Sequence, residues 1–151
     1  MRAENGGEDR LRNALQAGTG GFDLASQRDQ ARVRDLADAL VATGASVDQL
    51  TDAVSGSSSP LDTQVAAKLA MSKLGVQGSQ WSGRVGVVFA MWGEQRRLRP
   101  PSPDNPTGED ALHVKLEQLE WLFRGTDIDW RVYPVDDGDP DDSASVAEER
   151  A

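Results

Sequence analysis

Cysteine is absent from the sequence, and histidine occurs only once, as His113. Without cysteine, the chain cannot form disulfides, thiolate metal sites or a cysteine nucleophile. A single histidine also excludes a multi-histidine metal centre within one chain. The amino-terminal residues lack the apolar core of a secretion signal, and no apolar run approaches the roughly 20 residues that span a bilayer. These absences predict a soluble, cytoplasmic protein without a membrane segment.

An excess of positive charge is missing as well. The 151 residues include 25 acidic and 16 basic side chains, which gives a net charge of −9. Most of the acidic excess lies in residues 84–151, which hold 15 acids and 8 bases. Because nucleic acids and anionic lipid surfaces are bound through lysine and arginine, neither is an expected partner.

The first half of the chain has helical patterns and no catalytic constellation. Residues 1–26 contain few apolar side chains, which predicts a flexible lead, with a short surface helix over residues 9–16 as an alternative. Residues 27–75 repeat apolar side chains at helical spacing, and Ser46 and Ser59 stand where helix caps are expected, so three helices are predicted, with a flexible break over residues 55–59. The Gly- and Ser-rich residues 76–83 are typical of a linker. We expect this helical extension to pack or to dock a protein partner.

Two short β-branched runs organise the second half of the chain. The first, residues 84–94, contains the apolar side chains Val85, Val87, Val88 and Phe89, which predict a strand buried on both faces of a parallel sheet. The second occupies residues 130–138. Between them, prolines predict an irregular loop after Glu94, and an apolar stripe at helical spacing predicts a helix with Glu109 and Asp110 in its first turn. A last helix is expected from Ser143 onward. Strand, helix and strand in this order predict a parallel βαβ unit over residues 84–151, and thus an α/β fold.

Polar residues follow both predicted strands where each one ends. They are Trp92, Gly93 and Glu94 after the first strand, and Asp136, Asp137 and Gly138 at the second. In a right-handed crossover the strands are parallel, so both sets lie at the same edge of the sheet, where ligands of such folds bind. An aromatic face beside several acceptors suits a nucleoside. The five aspartates within residues 136–142 would repel a diphosphate unless a divalent cation intervened.

Other nucleotide and metal motifs fit less well. Neither strand is followed by the glycine pattern of a dinucleotide site or of a P-loop. Asp137, Asp139, Asp141 and Glu148 stand at positions 1, 3, 5 and 12 of a calcium loop. However, position 6 is Asp142 where such loops need glycine, and a strand precedes the loop. A solvated acidic turn is the remaining alternative.

The two strand-exit segments resemble a known enzyme family. Residues 87–94, Val-Val-Phe-Ala-Met-Trp-Gly-Glu, resemble the opening strand of the inverting GT-A glycosyltransferases, V-V-x-P-x-Y-N-E. Residues 135–143 are similar to that family's V-D-D-G-S-x-D-x-S/T segment. The resemblance implies a partial Rossmann-like GT-A unit that binds the nucleoside of a nucleotide-diphosphate sugar. The nucleoside-contacting residues that it implies are Ala90, Trp92, Glu94, Asp136, Asp137 and Gly138.

The resemblance also carries expectations about chemistry. It implies sugar transfer with Mg²⁺ or Mn²⁺, whereas the family's metal-binding D-x-D and catalytic base follow further strands that this chain does not contain. The chain is therefore expected to be a truncated glycosyltransferase without its base. Asp137, Asp139 and Asp141 match the D-x-D pattern in sequence, but they follow a different strand from the family's metal motif. This sequence departs from the family pattern at Ala90, Trp92, Gly93 and Asp139.

A second function, from another class, stays open. In that alternative the chain is a non-catalytic interaction protein that docks a partner through the helices of residues 27–75. The βαβ unit is then a degenerate nucleotide-binding remnant.

Overall fold

The computed structural model describes residues 5–23, 26–55, 59–79, 81–138 and 140–150, and it shows a mixed α/β protein. The chain divides after residue 79 into two compact units, which we name the helical unit and the sheet unit. The described ranges contain seven helices and one two-stranded parallel sheet. In these ranges, no helix combines the length and the apolar character that a bilayer span requires.

The helical unit contains four helices. They are α1 (Asn5–Leu15), α2 (Gln27–Ala42), α3 (Val47–Val54) and α4 (Leu61–Gly78). The core lies where α2 and α3 meet α4, and its fully buried side chains are Val33, Ala37, Leu40, Leu50, Ala66, Ala67 and Ala70. Alanines at this contact allow close approach of the helices, because they occupy little volume between the backbones.

The ends of these helices confirm one cap prediction and correct others. Ser46 caps α3 in a full capping box, in which its hydroxyl accepts from Gln49 N–H and the Gln49 side chain accepts from Ser46 N–H. By contrast, α4 is capped by Pro60 and not by Ser59, without a side-chain hydrogen bond. The helix continues to Gly78, so the first three residues of the expected 76–83 linker are helical. Residues 56–58 of the expected flexible break lie outside the described residues.

Residues 5–23 have more regular structure than the expected flexible lead, and the alternative of a short helix there is confirmed. The helix α1 occupies Asn5–Leu15 and contacts α2. The loop after it is fixed by hydrogen bonds from Thr19 and Gly20 to Asp62 at the start of α4. Apolar content was therefore a poor guide here, because polar contacts order this loop.

The sheet unit follows the predicted strand–helix–strand order. Its elements are β1 (Gly83–Met91), the single-turn helix α5 (Gln95–Leu98), α6 (Ala111–Phe123), β2 (Ile128–Asp136) and α7 (Ser143–Arg150). The strands are parallel and in register over nine pairs, from Gly83 opposite Ile128 to Met91 opposite Asp136. The parallel βαβ arrangement is confirmed, although α5 interrupts what was expected to be an irregular loop.

Only one face of the sheet is covered. Helices α5, α6 and α7 form a core with the inward side chains, which include Met91, Leu98, Leu112, Val146 and Ala147. On the other face, 70% of Val88, 46% of Tyr133 and 45% of Val135 is exposed. The prediction of a strand buried on both faces is wrong, because the helices pack on one side of this sheet only.

The start of α6 also differs from the prediction. Glu109 and Asp110 were expected in its first turn, but the helix begins at Ala111 and Asp110 is its cap. Asp110 adopts a left-handed backbone (φ 50°) and is buried, and its carboxylate accepts from Arg150 Nη2 at 2.7 Å. This ion pair ties the start of α6 to the end of α7.

Candidate functional site

The parallel register brings the two predicted strand exits to one edge of the sheet. Met91 and Asp136 form the last pair, so Trp92 continues from one strand where Asp137 continues from the other. This edge, formed by residues 92–94 and 136–138, is named the carboxyl edge below. The sequence-predicted residues are therefore neighbours through the fold, although about forty residues separate them in the chain.

Ser143 joins the loop after β1 to the first turn of α7. Its hydroxyl, fully buried, accepts a hydrogen bond from Glu94 N–H at 3.1 Å. Gly93 adopts a left-handed backbone (φ 63°), and a Cβ placed on it would lie 3.8 Å from Asp141 Oδ2. The backbone of residues 93–94 thus packs directly against the loop that follows β2.

The carboxylate of Asp136 accepts hydrogen bonds from the backbone of the loop and helix that follow it. One carboxylate oxygen accepts from Gly138 N–H at 2.9 Å, and the other accepts from Ala144 N–H at 3.1 Å in the first turn of α7. A carboxylate at a helix amino terminus satisfies an otherwise unpaired N–H and interacts favourably with the helix dipole. Asp136 therefore shapes the carboxyl edge and has little capacity left for a ligand.

Glu94 is paired as well, in an exposed ion network. Arg97 donates to both of its carboxylate oxygens, at 3.1 and 2.9 Å, and to Glu109 at 3.0 Å. The hydrogen bond with Glu109 and the two nearby carboxylates raise the pKa of Arg97, against a smaller effect of burial. Arg97 thus links the loop after β1 to the approach to α6.

Trp92 and Asp137 are the exposed members of the predicted site. Trp92 is 62% exposed, and Asp137 and Gly138 are also open to solvent. Gly138 has a left-handed backbone (φ 87°), which lets the chain turn sharply away from β2. Ala90 lies within β1 opposite Val135, on the uncovered face of the sheet, and so does not belong to the strand exit.

The side chains of the carboxyl edge do not make a ready site for Mg²⁺ or Mn²⁺. No group of three or more acidic or histidine side chains that could hold a metal occurs in the described parts of the chain. Asp136 is occupied by two backbone N–H groups, as described above, and Asp139 lies outside the described residues. Among the acidic residues that match a metal or calcium motif in sequence, Asp137 and Asp141 are both exposed, and Glu148 is exposed on α7.

The most extensive polar cluster lies in the helical unit and was not predicted. Asp62 is fully buried and accepts hydrogen bonds from Thr19 N–H at 2.7 Å, from Thr63 N–H at 2.8 Å and from Arg32 Nη1 at 2.6 Å. Gly20 N–H contributes further contacts at 3.3 Å. The only sequence signal was an acidic residue in the first turn of a helix, which is common and unspecific.

The electrostatics of Asp62 follow from this cluster. Burial alone would raise the pKa of a carboxyl group, because it penalises the charged form. The hydrogen bonds from Arg32, Thr19, Thr63 and Gly20 together outweigh burial and lower the pKa of Asp62 to about 2. Asp62 is thus a fixed negative charge that holds the loop after α1, and its role is structural.

Comparison with known protein families, with curated proteins and with solved structures found no match to this chain. The similarity to GT-A glycosyltransferases therefore stays a prediction from residues 87–94 and 135–143.

Proposed function

We propose that the sheet unit binds the nucleoside of a nucleotide-diphosphate sugar at the carboxyl edge, as part of a Rossmann-like GT-A glycosyltransferase. The observation that carries the proposal is the parallel register that ends at Met91 and Asp136. It gives a common edge to an exposed indole, Trp92, and an exposed carboxylate, Asp137. Ligands of parallel α/β sheets bind beyond the carboxyl ends of the strands.

The proposed role of each residue depends on whether its side chain is exposed or already hydrogen-bonded within the protein. Trp92 offers an aromatic face for the base, and stacking of this kind contributes about 1–3 kcal/mol per base. Asp137 accepts hydrogen bonds from the base or from ribose hydroxyls. Asp136 and Glu94 act as positioning residues, because their carboxylates already hold α7 and Arg97. The resemblance implies Mg²⁺ or Mn²⁺ at the diphosphate, and the described side chains alone do not provide its ligands.

Calorimetry with uridine and guanosine diphosphates, with and without Mn²⁺, tests the proposal. The variant Asp137→Asn should weaken binding by about tenfold or more, since hydrogen bonds to charged groups are typically worth about 1.5–3 kcal/mol. The matched control is Asp127→Asn, an exposed acid before the opposite end of β2. Its binding should equal that of the wild type.

The direction in which Asp137→Asn changes the affinity distinguishes recognition of the nucleoside by Asp137 from electrostatic repulsion of the diphosphate. If Asp137 only repelled the diphosphate, Asp137→Asn would bind more tightly, and that outcome would contradict the proposal. An absence of heat with every nucleoside diphosphate would also contradict it and would favour the interaction-protein alternative. Trp92→Leu provides an independent check, since loss of the indole should weaken binding about fivefold or more.

A further inference from the structure

The two outer edges of the sheet differ in their ability to accept another strand. Along β2, Pro134 has no N–H to donate, and Asp129 and Arg131 place charges on the strand. Along β1, no proline occurs and Arg84 is the single charged residue among Gly83–Met91. Proline and charge are the usual devices that block edge pairing. The β2 strand therefore has both devices, whereas β1 has no proline and a single charge at its start.

The sheet is also small and open beside this edge. Its two strands are the only ones in the described residues. Val88, on the uncovered face of β1, is 70% exposed and adjoins Tyr133 across the pair. A further strand along β1 would satisfy its outer backbone groups and cover part of this apolar surface.

We propose that β1 pairs antiparallel with β1 of a second copy of this chain, about a twofold axis at Val87. With complete overlap of the nine residues, Val87 stands opposite its own copy. Arg84 then faces Ala90, Val85 faces Phe89, and Gly86 faces Val88. Each of these pairs lies on one face of the continuous sheet, because residues an even number apart share a face.

The strand is its own complement in charge and in size. Its one charged residue, Arg84, faces the small and neutral Ala90, so no like charges oppose each other, which would be destabilising. On the uncovered face, Val88 of one copy stands opposite Gly86 of the other, beside the Tyr133 ring that lies over this glycine, so an aliphatic and an aromatic side chain meet there. On the covered face, Val85 meets Phe89, a β-branched and aromatic combination that is favourable in cross-strand pairs.

The difference between the edges also explains why the assembly ends at two copies. The combined sheet has the order β2, β1, β1 and β2, so both outer edges carry Pro134. Isologous contacts close on themselves, whereas an unblocked outer edge would allow filaments. The carboxyl edges of the two copies point to opposite ends of this four-stranded sheet.

A single-cysteine experiment tests the pairing, because the chain has no other cysteine. Opposed residues in antiparallel strands have Cα atoms about 4.5–5.5 Å apart, which is within the range of a disulfide. Under mild oxidation, Val87→Cys should therefore migrate mainly as a covalent dimer. The control Val135→Cys, on β2, should stay monomeric, since its copy would lie about 25 Å away, across three strand spacings and six residues farther along the strands.

Sedimentation of the unmodified protein gives an independent measurement. We expect concentration-dependent dimers, and we expect salt to strengthen them, because two copies of net charge −9 repel each other at low ionic strength. Val88→Lys, which places a charge on the open face beside the edge, should shift the protein toward monomer. Equal crosslinking of Val87→Cys and Val135→Cys, or a monomer at every concentration, would overturn the proposal.

Discussion

Arg32 and Asp62 form a salt bridge in which only the acid is shielded from water. Arg32 Nη1 lies 2.6 Å from Asp62 Oδ2, with the Asp62 side chain fully buried and the Arg32 side chain 32% exposed. A buried carboxylate without partners is strongly destabilising. The loop at Thr19, the helix α2 and the start of α4 must therefore stay together for this charge to be tolerated. The helical unit depends on this polar cluster in addition to its alanine-rich core.

Replacing Asp62 with asparagine should destabilise the helical unit. The amide cannot keep the charge-assisted bond to Arg32, and we expect a loss of about 2 kcal/mol or more in the free energy of unfolding. Urea unfolding followed by circular dichroism at helical wavelengths measures it, since four of the described helices lie in this unit. The matched control, Asp48→Asn in the exposed first turn of α3, should change stability by about 0.5 kcal/mol at most.

Tryptophan fluorescence distinguishes a loss of stability in the helical unit from a loss that affects both units. All four tryptophans follow residue 79, so their emission reports on the sheet unit. If Asp62→Asn lowered the fluorescence transition as much as the circular dichroism transition, the local interpretation would be wrong.

The same carboxylate predicts a dependence of stability on pH. The pKa of Asp62 falls from its ordinary 3.8 to about 2 in the folded protein. The folded state therefore binds fewer protons than the unfolded state in this range, and the stabilisation is complete above about pH 4 and lost as pH falls toward about 2. The difference in unfolding free energy between wild type and Asp62→Asn should shrink over this interval. A difference that stayed constant down to pH 2 would contradict the assignment.

Gly18 provides a steric test of the same loop. A Cβ at this position would lie 2.0 Å from Thr63 Oγ1 and 2.9 Å from Asp62 Oδ1. We expect Gly18→Ala to destabilise the helical unit by about 1–3 kcal/mol, which is typical of overpacking. Gly21→Ala is the matched control, because nothing lies within 4 Å of its added Cβ. Equal unfolding midpoints for the two variants would show that the loop is not fixed against α4.

Local signals in the sequence predicted local structure well. The capping box at Ser46 and the strand–helix–strand order were readable because the interacting groups are close in sequence or share a period. Contacts such as Thr19 with Asp62, 43 residues apart, leave no periodic trace and were missed. The exposure of Val88 was missed for another reason. A valine on an open sheet face has the same sequence pattern as a buried one.

The carboxyl edge was predicted in outline and not in its hydrogen bonding. Parallel strands placed Trp92 and Asp137 at one edge, as expected from the crossover rule. The sequence could not show that Asp136 holds Gly138 and Ala144, because both bonds depend on where α7 begins. The six predicted contact residues therefore separate into exposed groups, positioning groups and Ala90, which lies within β1.

The last prediction concerns Ser143, which connects the two sides of this edge. Ser143→Ala removes the acceptor of Glu94 N–H at a fully buried position, and we expect the sheet unit to lose about 1–2 kcal/mol. Ser145→Ala is the matched control on the same helix, because Ser145 is exposed and bonds only Asp142. Tryptophan fluorescence during urea unfolding measures both variants. If the two serines proved equally dispensable, the link between Glu94 and α7 would not stabilise the carboxyl edge.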